Sequence, residues 1–433
     1  MKRTAWQGMQ VVLGVSLLCL GAAHGWADMG SDGDKAELQV LRDRLDKLEN
    51  KIASQEAAAA GAEPGNAVIQ LPSGFNGVQM SGFVDTTYTY NFDTPETTTN
   101  TLRVFDTQAN GFMINNAELV VDKPVSAESP VGFKTSLMFG TDAEVVGGVT
   151  TGLGANAHTH GNGSNSAASD EVELKDAYVE YLAPIGNGLD LKAGKFATMH
   201  GAEVIESKDN WNISRSILFG FAIPFTHTGL RATYPVAEWL SATLGVDNGW
   251  DLVDDNNQAR TVGTSFTVTP MTGASLTANY MFGADQAGDN HHGRHLVDLV
   301  LGWQPIEPLQ LKLNYDYAVE DDAAALHNNA VWQGLAGYAR YALTDKLAVS
   351  LRGEFFNDAD GVRTAIATGI NGIVDDDVKL YEMTLTGEYQ INPHLLGRLE
   401  FRHDKANAGI YRHQDIGQVS YQDTVALEFI TPF

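Results

Sequence analysis

The sequence predicts an all-β protein: a transmembrane antiparallel β-barrel of about 16 strands, with a short N-terminal helical coiled-coil segment. Three observations predict this fold. From Val78 onward, apolar residues recur at every second position, which is the period of a strand with two unlike faces. Short turns alternate with long polar loops along the same stretch. Charged residues occupy one face of nearly every predicted strand, and the water-filled lumen of a wide barrel can hydrate them.

Composition excludes several classes of protein. The chain has 433 residues, of which 43% are hydrophobic, so it contains enough apolar material to fold. Acidic residues outnumber basic ones 54 to 28, and a net charge of -26 argues against binding of nucleic acid. The single cysteine, Cys19, excludes a disulfide framework, cysteine-ligated zinc and c-type haem within this chain. We therefore expect no cofactor.

Residues 1–27 are predicted to be a secretory signal peptide. Lys2 and Arg3 precede an apolar run over 11–23, and small residues flank Trp26 at the end of it. The run is shorter than the roughly 20 residues that a membrane-spanning helix needs. A soluble amphipathic helix is the alternative. The prediction implies export of the mature chain.

Residues 28–60 are predicted to form a periplasmic coiled-coil helix. Apolar residues recur there at spacings of 3, 4, 3 and 4: Leu38, Leu41, Leu45, Leu48 and Ile52. The alternative is one amphipathic helix that lies on the rest of the protein. Residues 61–77 are read as a linker before the barrel of 78–433, because residues 57–66 contain an Ala-rich stretch, Gly and Pro and show no periodicity.

The barrel prediction depends on the connections and on the aromatic residues. Seven tight turns and eight long loops put both ends of the barrel segment on the tight-turn side. The long loops are expected at about 93–110, 141–171, 197–226, 247–260, 283–293, 320–328, 357–377 and 404–417. Aromatic residues next to the turns suggest a membrane-interface belt: Tyr181, Tyr234, Trp239, Trp303, Tyr341 and Tyr389. A soluble β-sandwich, the alternative, gives no reason to collect them at one end.

Several stretches resemble one family. They read AGKF at 193–196, GAE at 201–203, NWNISRS at 210–216 and PFTHTG at 224–229, and the chain ends in Phe433. Together they resemble the putative β-barrel porin-2 family of Gram-negative outer-membrane proteins. The resemblance implies a cell outer-membrane porin, a passive diffusion channel for small hydrophilic solutes and ions. It also implies outer-membrane lipid as a partner, a likeness to trimeric porins, and no enzymatic activity.

The third long loop, residues 197–226, is expected to constrict the channel. It is unusually apolar for a loop: Ile205, Trp211, Ile213, Ile217, Leu218, Phe219 and Phe221. By likeness to general porins it would fold into the barrel, where Glu203, Glu206 and Asp209 would form an acidic side. The alternative is a loop packed over the rim or against a neighbouring subunit.

The basic side of this constriction would come from the barrel wall. Alternation points seven cationic residues inward: Lys134, Arg231, Lys312, Arg340, Arg352, Arg398 and Arg402. Opposite fixed charges across a narrow, wet gap orient and filter polar solutes. The alternative, compatible with the first, is that wall arginines pair with neighbouring carboxylates; Glu400, for example, lies between Arg398 and Arg402.

Other clusters carry weaker predictions. Acidic runs in the outer loops could attract cations or simply be solvated surface: Asp251, Asp254 and Asp255; Glu320, Asp321 and Asp322; Asp375, Asp376 and Asp377. His291, His292 and His295 are weak candidates for a metal site. No catalytic constellation stands out, so we predict a protein that is not an enzyme. Two alternative functions stay open: a substrate-selective channel with an internal site, or a structural barrel that sheathes an electron-carrying partner.

Overall fold

The structure, a computed structural model, describes residues 69–70, 77–148, 172–324, 328–365 and 377–433. The predicted signal peptide and coiled-coil segment lie outside the described residues, as does most of the linker. None of the helices in the described part of the chain is long and apolar enough to cross a membrane.

Sixteen strands in these residues form one closed antiparallel barrel, which confirms the predicted fold class. They are β1 (Gln79–Asn91), β2 (Gly111–Lys123), β3 (Val131–Phe139), β4 (Val172–Ala183), β5 (Leu189–Ala197), β6 (Thr226–Ala237), β7 (Leu240–Asp247), β8 (Thr261–Met271), β9 (Ala274–Gly283), β10 (Arg294–Ile306), β11 (Leu309–Ala324), β12 (Asn328–Ala342), β13 (Leu347–Asp358), β14 (Val378–Asn392), β15 (Leu395–Ala406) and β16 (Tyr421–Pro432). Each strand pairs with the next along the chain. The last strand pairs with the first, with Leu427 opposite Tyr88.

The connections alternate in length as predicted, with short turns at one end of the barrel and long loops at the other. The long loops contain helix α1 (Thr141–Gly148), a 3₁₀ turn (Ser207–Asp209), helix α2 (Ile217–Phe221) and a small hairpin (Tyr411–His413 with Gly417–Val419). A two-residue strand, Ile69–Gln70, pairs with the start of β1. Phe433 closes the last strand through two backbone hydrogen bonds of 2.9 Å to Gly82.

Successive residues along the strands face lipid and lumen in turn, except where a bulge interrupts the alternation. On β13, Leu351 is 46% exposed whereas the neighbouring Arg352 is 0% exposed. Exposed aromatic residues encircle the barrel near the short turns, including Tyr181, Trp239, Trp303, Tyr341 and Tyr389. A second set lies near the long loops: Phe112, Tyr280, Phe282, Tyr317, Tyr381 and Tyr421. Two aromatic girdles that flank an apolar band are typical of outer-membrane barrels.

The main buried apolar cluster lies inside the barrel. Ile217, Leu218 and Phe219 of the third loop pack in one cluster with Trp332 and Phe356 of the wall. Members from other long loops are Phe105, Val146, Trp250 and Ile410. Burying these side chains removes apolar surface that a free loop would expose to water. The barrel therefore fills part of its own lumen with its loops.

Candidate functional site

The third long loop, residues 198–225, begins and ends at adjacent strands. The N–H of Thr198 donates to the carbonyl of Phe225 at 2.9 Å, which closes the stem of the loop. The Asp251 carboxylate, from the next long loop, accepts hydrogen bonds from the N–H groups of Phe225 at 2.6 Å and Thr226 at 2.9 Å. Burial raises the pKa of Asp251 to about 6, although the two hydrogen bonds lower it by stabilising the ionised carboxylate. The stem is thus fixed before the loop crosses the lumen.

Two wall carboxylates hold the loop backbone. Glu400 accepts from the N–H groups of Ile213 at 2.7 Å and Ser214 at 3.0 Å. Glu354 accepts from Ile217 at 2.7 Å and Leu218 at 3.0 Å, the first two N–H groups of α2. The first N–H groups of a helix have no partner within the helix, so a carboxylate there satisfies them. Both glutamates therefore bind the main chain of the third loop.

Three wall arginines hold carbonyl groups of the same loop. Arg352 donates to the carbonyl of Ser214 at 2.6 Å, and Arg402 donates to that of Arg215 at 2.6 Å. Arg398 donates to the carbonyls of Ser207 at 2.9 Å and Asn210 at 2.8 Å. Because a guanidinium presents several N–H groups in a fixed plane, each arginine can bind the loop and a carboxylate together.

The loop is also bound on other sides of the lumen. Asn314 on β11 accepts from the N–H of Ala202 at 2.9 Å, and Lys312 donates to the carbonyl of Ala202 at 3.2 Å. Asn279 on β9 donates to the carbonyl of Met199 at 2.9 Å. Asp85 on β1 accepts from the hydroxyl of Ser207. With the contacts on β13 and β15, these bonds place the third loop across the interior of the barrel.

The three predicted acidic residues have different surroundings. Glu203 forms an ion pair of 2.8 Å with Arg352, and both side chains are buried. Glu206 pairs with Lys175 of β4, a residue that the sequence analysis did not single out. Asp209 pairs at 2.7 Å with its neighbour Lys208 and is half exposed. The structure thus brings only Glu203 against a predicted wall arginine.

Three other wall arginines, Arg398, Arg340 and Arg402, form ion pairs within the wall. Arg398 lies 3.0 Å from Glu388 and 3.2 Å from Glu428, and Arg340 lies 2.8 Å from Glu388. Arg402 lies 2.8 Å from Asp404. Glu400, suggested above as a partner for two arginines, instead accepts from the loop backbone and from Thr386 at 2.7 Å. Arg231 stacks on the ring of Phe196 at 4.1 Å and donates to the carbonyl of Ala197 at 3.3 Å.

A buried histidine lies just after the stem. His200 Nδ1 is 3.0 Å from the hydroxyl of Thr198, which is also 3.1 Å from Nε2 of His227. Burial lowers the pKa of His200 to about 4, so its imidazole is neutral at ordinary pH. Asp142 of α1 shows the opposite effect, because burial raises its pKa to about 7. His200 is therefore a neutral hydrogen-bonding group next to the stem of the third loop.

A cavity of about 220 Å³ lies between the third loop and the first three strands. Glu206, Lys208 and Asp209 line it from the loop side. The wall contributes Ser81, Gly82, Phe83, Glu118, Val120, Lys134 and Phe433. We call this space the vestibule cavity. It contains charges of both signs beside apolar side chains.

The histidine candidates are not brought together. His292 bonds Asp289 at 2.6 Å in the loop before β10, whereas His295 on β10 bonds the Tyr280 hydroxyl at 2.8 Å. Among the described residues, no group of three histidine, cysteine or acidic side chains is arranged to hold a metal ion. The acidic runs of the outer loops do not form one solvated mouth either, because Asp251 and Glu320 are buried.

Comparisons with known proteins agree with this architecture. A family model described as "Putative beta-barrel porin-2, OmpL-like" matches residues 77–433. No curated protein matches the chain. Three of the solved structures that share the fold have 11–13% sequence identity to this chain. The anion-selective porin from Comamonas acidovorans has 12% identity and a TM-score of 0.53, covering 82% of this chain and 99% of that one.

The other two structures are similar at the same level. The outer-membrane channel DcaP of Acinetobacter baumannii has 13% identity and a TM-score of 0.52, covering 82% of this chain and 97% of that chain. OmpT, an outer-membrane protein of Vibrio cholerae in its trimer form, has 11% identity and a TM-score of 0.52, covering 82% and 99%. At such identities these likenesses establish the fold alone.

Proposed function

This chain belongs to the putative β-barrel porin-2 family, and from that premise we propose a passive channel in the Gram-negative outer membrane. It would conduct small hydrophilic solutes and ions, with the third loop as its narrowest section. A pore of this kind needs no reaction chemistry, so we propose that the protein is not an enzyme.

The observation that carries the proposal is the attachment of the third loop to several sides of the lumen. Wall groups bind its backbone on β9, β11, β13 and β15. A segment held on several sides inside a barrel narrows the path and fixes its shape. Charges that line such a path act on a passing solute at short range, where salt screens them little.

Planar-bilayer recording tests the proposal. Purified protein should form pores whose conductance rises with salt concentration, and replacing residues 203–216 with a Gly-Ser linker should raise the conductance of each pore. If that variant does not fold, Glu354→Gln with Glu400→Gln loosens the same loop without shortening it. A protein that forms no pores would contradict the channel. Equal conductance in the wild type and a folded loop variant would contradict the constriction.

A substrate-selective channel is the second candidate function. It is favoured by the apolar cluster and the ion pairs inside the lumen, because a narrow lined path discriminates among solutes. Saturable block of conductance by one solute would support it. The remaining alternative, a barrel that sheathes an electron-carrying partner, predicts haem in the purified complex.

We propose that the barrel is a homotrimer and that residues 28–60 are periplasmic. Support for the trimer comes from the predicted coiled coil and from the trimer form of the similar Vibrio cholerae protein. Support for the periplasmic position comes from the start of β1, which lies at the end of the barrel that carries the short turns. In outer-membrane barrels the short turns face the periplasm. Chemical crosslinking in detergent tests the first proposal, and protease accessibility in intact cells tests the second.

A further inference from the structure

We propose that the vestibule cavity is a binding subsite for a small zwitterionic solute of the size of a free amino acid. The proposal rests on the proposed channel function, because it places the subsite on the solute path. It goes further by naming a chemical class of solute and the residues that would bind it.

Charged side chains of both signs surround the cavity. Lys208 and Asp209 of the loop form a 2.7 Å ion pair, and the carboxylate of Asp209 is 51% exposed. Lys134 on the wall lies 3.0 Å from Asp176, with 31% of its side chain exposed. Because the Asp209 carboxylate is half exposed, its pair with Lys208 contributes little stability, and a solute can exchange charges there at low cost. Asp176 is 3% exposed and keeps Lys134, whose ammonium has three N–H donors and can bind a second carboxylate. A carboxylate would bind the lysines, and an ammonium group would bind Asp209.

The lining of the cavity combines apolar and charged side chains. Phe83 and Val120 give the cavity apolar surface, and the ammonium of Lys208 lies 5.7 Å from the centre of the Phe83 ring. This contact keeps the Lys208 ammonium close to the apolar side. A solute with an ammonium, a carboxylate and a short apolar chain matches all three kinds of surface.

The charges and the volume of the cavity favour a small zwitterion over anionic and cationic solutes. A purely anionic solute would meet the exposed carboxylate of Asp209, because Glu118 and Glu206 are already paired with Lys175. A purely cationic solute would meet Lys134 and Lys208. Each would bring one unpaired charge close to like charges, which disfavours it relative to a zwitterion. The cavity, of about 220 Å³, has room for a solute of the size of a free amino acid.

Block of single-channel conductance tests the subsite, with L-leucine as the probe because it has no net charge at neutral pH. Leucinamide keeps only the cation and 4-methylpentanoate keeps only the anion. We expect saturable block by L-leucine, and at least tenfold higher half-blocking concentrations for both analogues. Lys208→Gln and Asp209→Asn should each weaken the block by L-leucine about tenfold, since each removes one charge-assisted contact. Asp345→Asn, in the exposed turn between β12 and β13, is the matched control and should leave the block unchanged.

The outcomes separate this proposal from the channel itself. If pores form but L-leucine never blocks them, the subsite is refuted and the channel stands. Equal effects of Asp209→Asn and Asp345→Asn, or equal block by all three solutes, would also refute the subsite. If no pore forms, the channel is refuted, and titration calorimetry of L-leucine into the detergent-solubilised protein still tests the cavity. Absence of a heat signal that depends on Lys208 would then overturn the proposal.

Discussion

Replacing Glu400 with glutamine should release the third loop from the barrel wall for a measurable fraction of the time. The Glu400 carboxylate accepts three hydrogen bonds: from the N–H groups of Ile213 and Ser214, and from the hydroxyl of Thr386. Glutamine has the same shape but keeps only one acceptor oxygen, and its amide N–H₂ would face a backbone N–H. At least one charge-assisted hydrogen bond to the loop is therefore lost.

The size of the effect follows from that loss. A hydrogen bond to a charged group contributes about 1.5–3 kcal/mol, which corresponds to about a 10- to 150-fold change in the population of the released loop. The barrel should remain folded, because each strand of the wall keeps its pairing. The change should therefore appear in the loop alone.

Thiol labelling measures this population. Ser214 is 2% exposed, so a cysteine there reacts with a water-soluble thiol reagent only when the loop leaves the wall. The native Cys19 is the single cysteine of the chain, and Cys19→Ser removes it as a competing target. Glu400→Gln should accelerate the labelling of Ser214→Cys by about 10-fold or more. Glu238→Gln, in the exposed turn between β6 and β7, is the matched control. Labelling rates within twofold of each other in the wild-type, Glu400→Gln and Glu238→Gln backgrounds would show that Glu400 does not hold the loop against the wall.

Four further predictions concern selectivity, assembly and pH. Removing the charges of Glu203, Glu206 and Asp209 should move the reversal potential in a salt gradient toward anion preference. Neutralising Arg340, Arg352 and Arg398 should move it toward cations, with wild type weakly cation-selective; an unchanged potential would exclude the third loop as the filter. An unboiled sample should migrate differently from a boiled one on a detergent gel, and recovery of the protein in the soluble periplasm would contradict a membrane barrel. Deleting residues 35–60 should weaken the oligomer while the barrel stays folded, as crosslinking would show; only monomer in the full-length protein would count against a trimer. The neutral His200 imidazole stabilises the folded state above pH 6.5, and this contribution of about 3 kcal/mol should be lost as the pH falls through about 4, because its folded pKa is lowered. The thermal midpoint of His200→Gln should therefore depend less on pH over that range; identical pH profiles would contradict the assignment.

The barrel was predictable because its signals are local. Alternation assigns Leu351 to lipid and Arg352 to the lumen from neighbouring residues alone, and the structure agrees. The turn and loop lengths fix the strand number for the same reason, since each turn is encoded by a few adjacent residues. The apolar character of the third loop also indicated that it would not stay in water.

The partners inside the lumen were not predictable from spacing. Arg352 contacts Glu203 and Ser214, which are more than a hundred residues away in the sequence. Glu400 was suggested as a partner for Arg398 and Arg402, yet it binds the loop backbone, as Glu354 does. Lys175 was missed because the register shifts beside it, between Ser136 and Leu137, and a bulge interrupts the alternation that would have marked it.

Strand periodicity and turn chemistry depend on nearest neighbours, so a two-faced barrel with an apolar third loop could be predicted from the order of the residues. How the lumen is filled depends on contacts between distant parts of the chain. Asp251 illustrates the difference: it looked like part of a solvated acidic mouth, yet it is buried against the stem of the third loop. Barrel closure brings side chains from distant strands within hydrogen-bonding distance. A charged side chain of the wall is therefore hydrated, paired or bound to main chain according to which loop covers it. Which loop covers it depends on residues that are distant in the sequence.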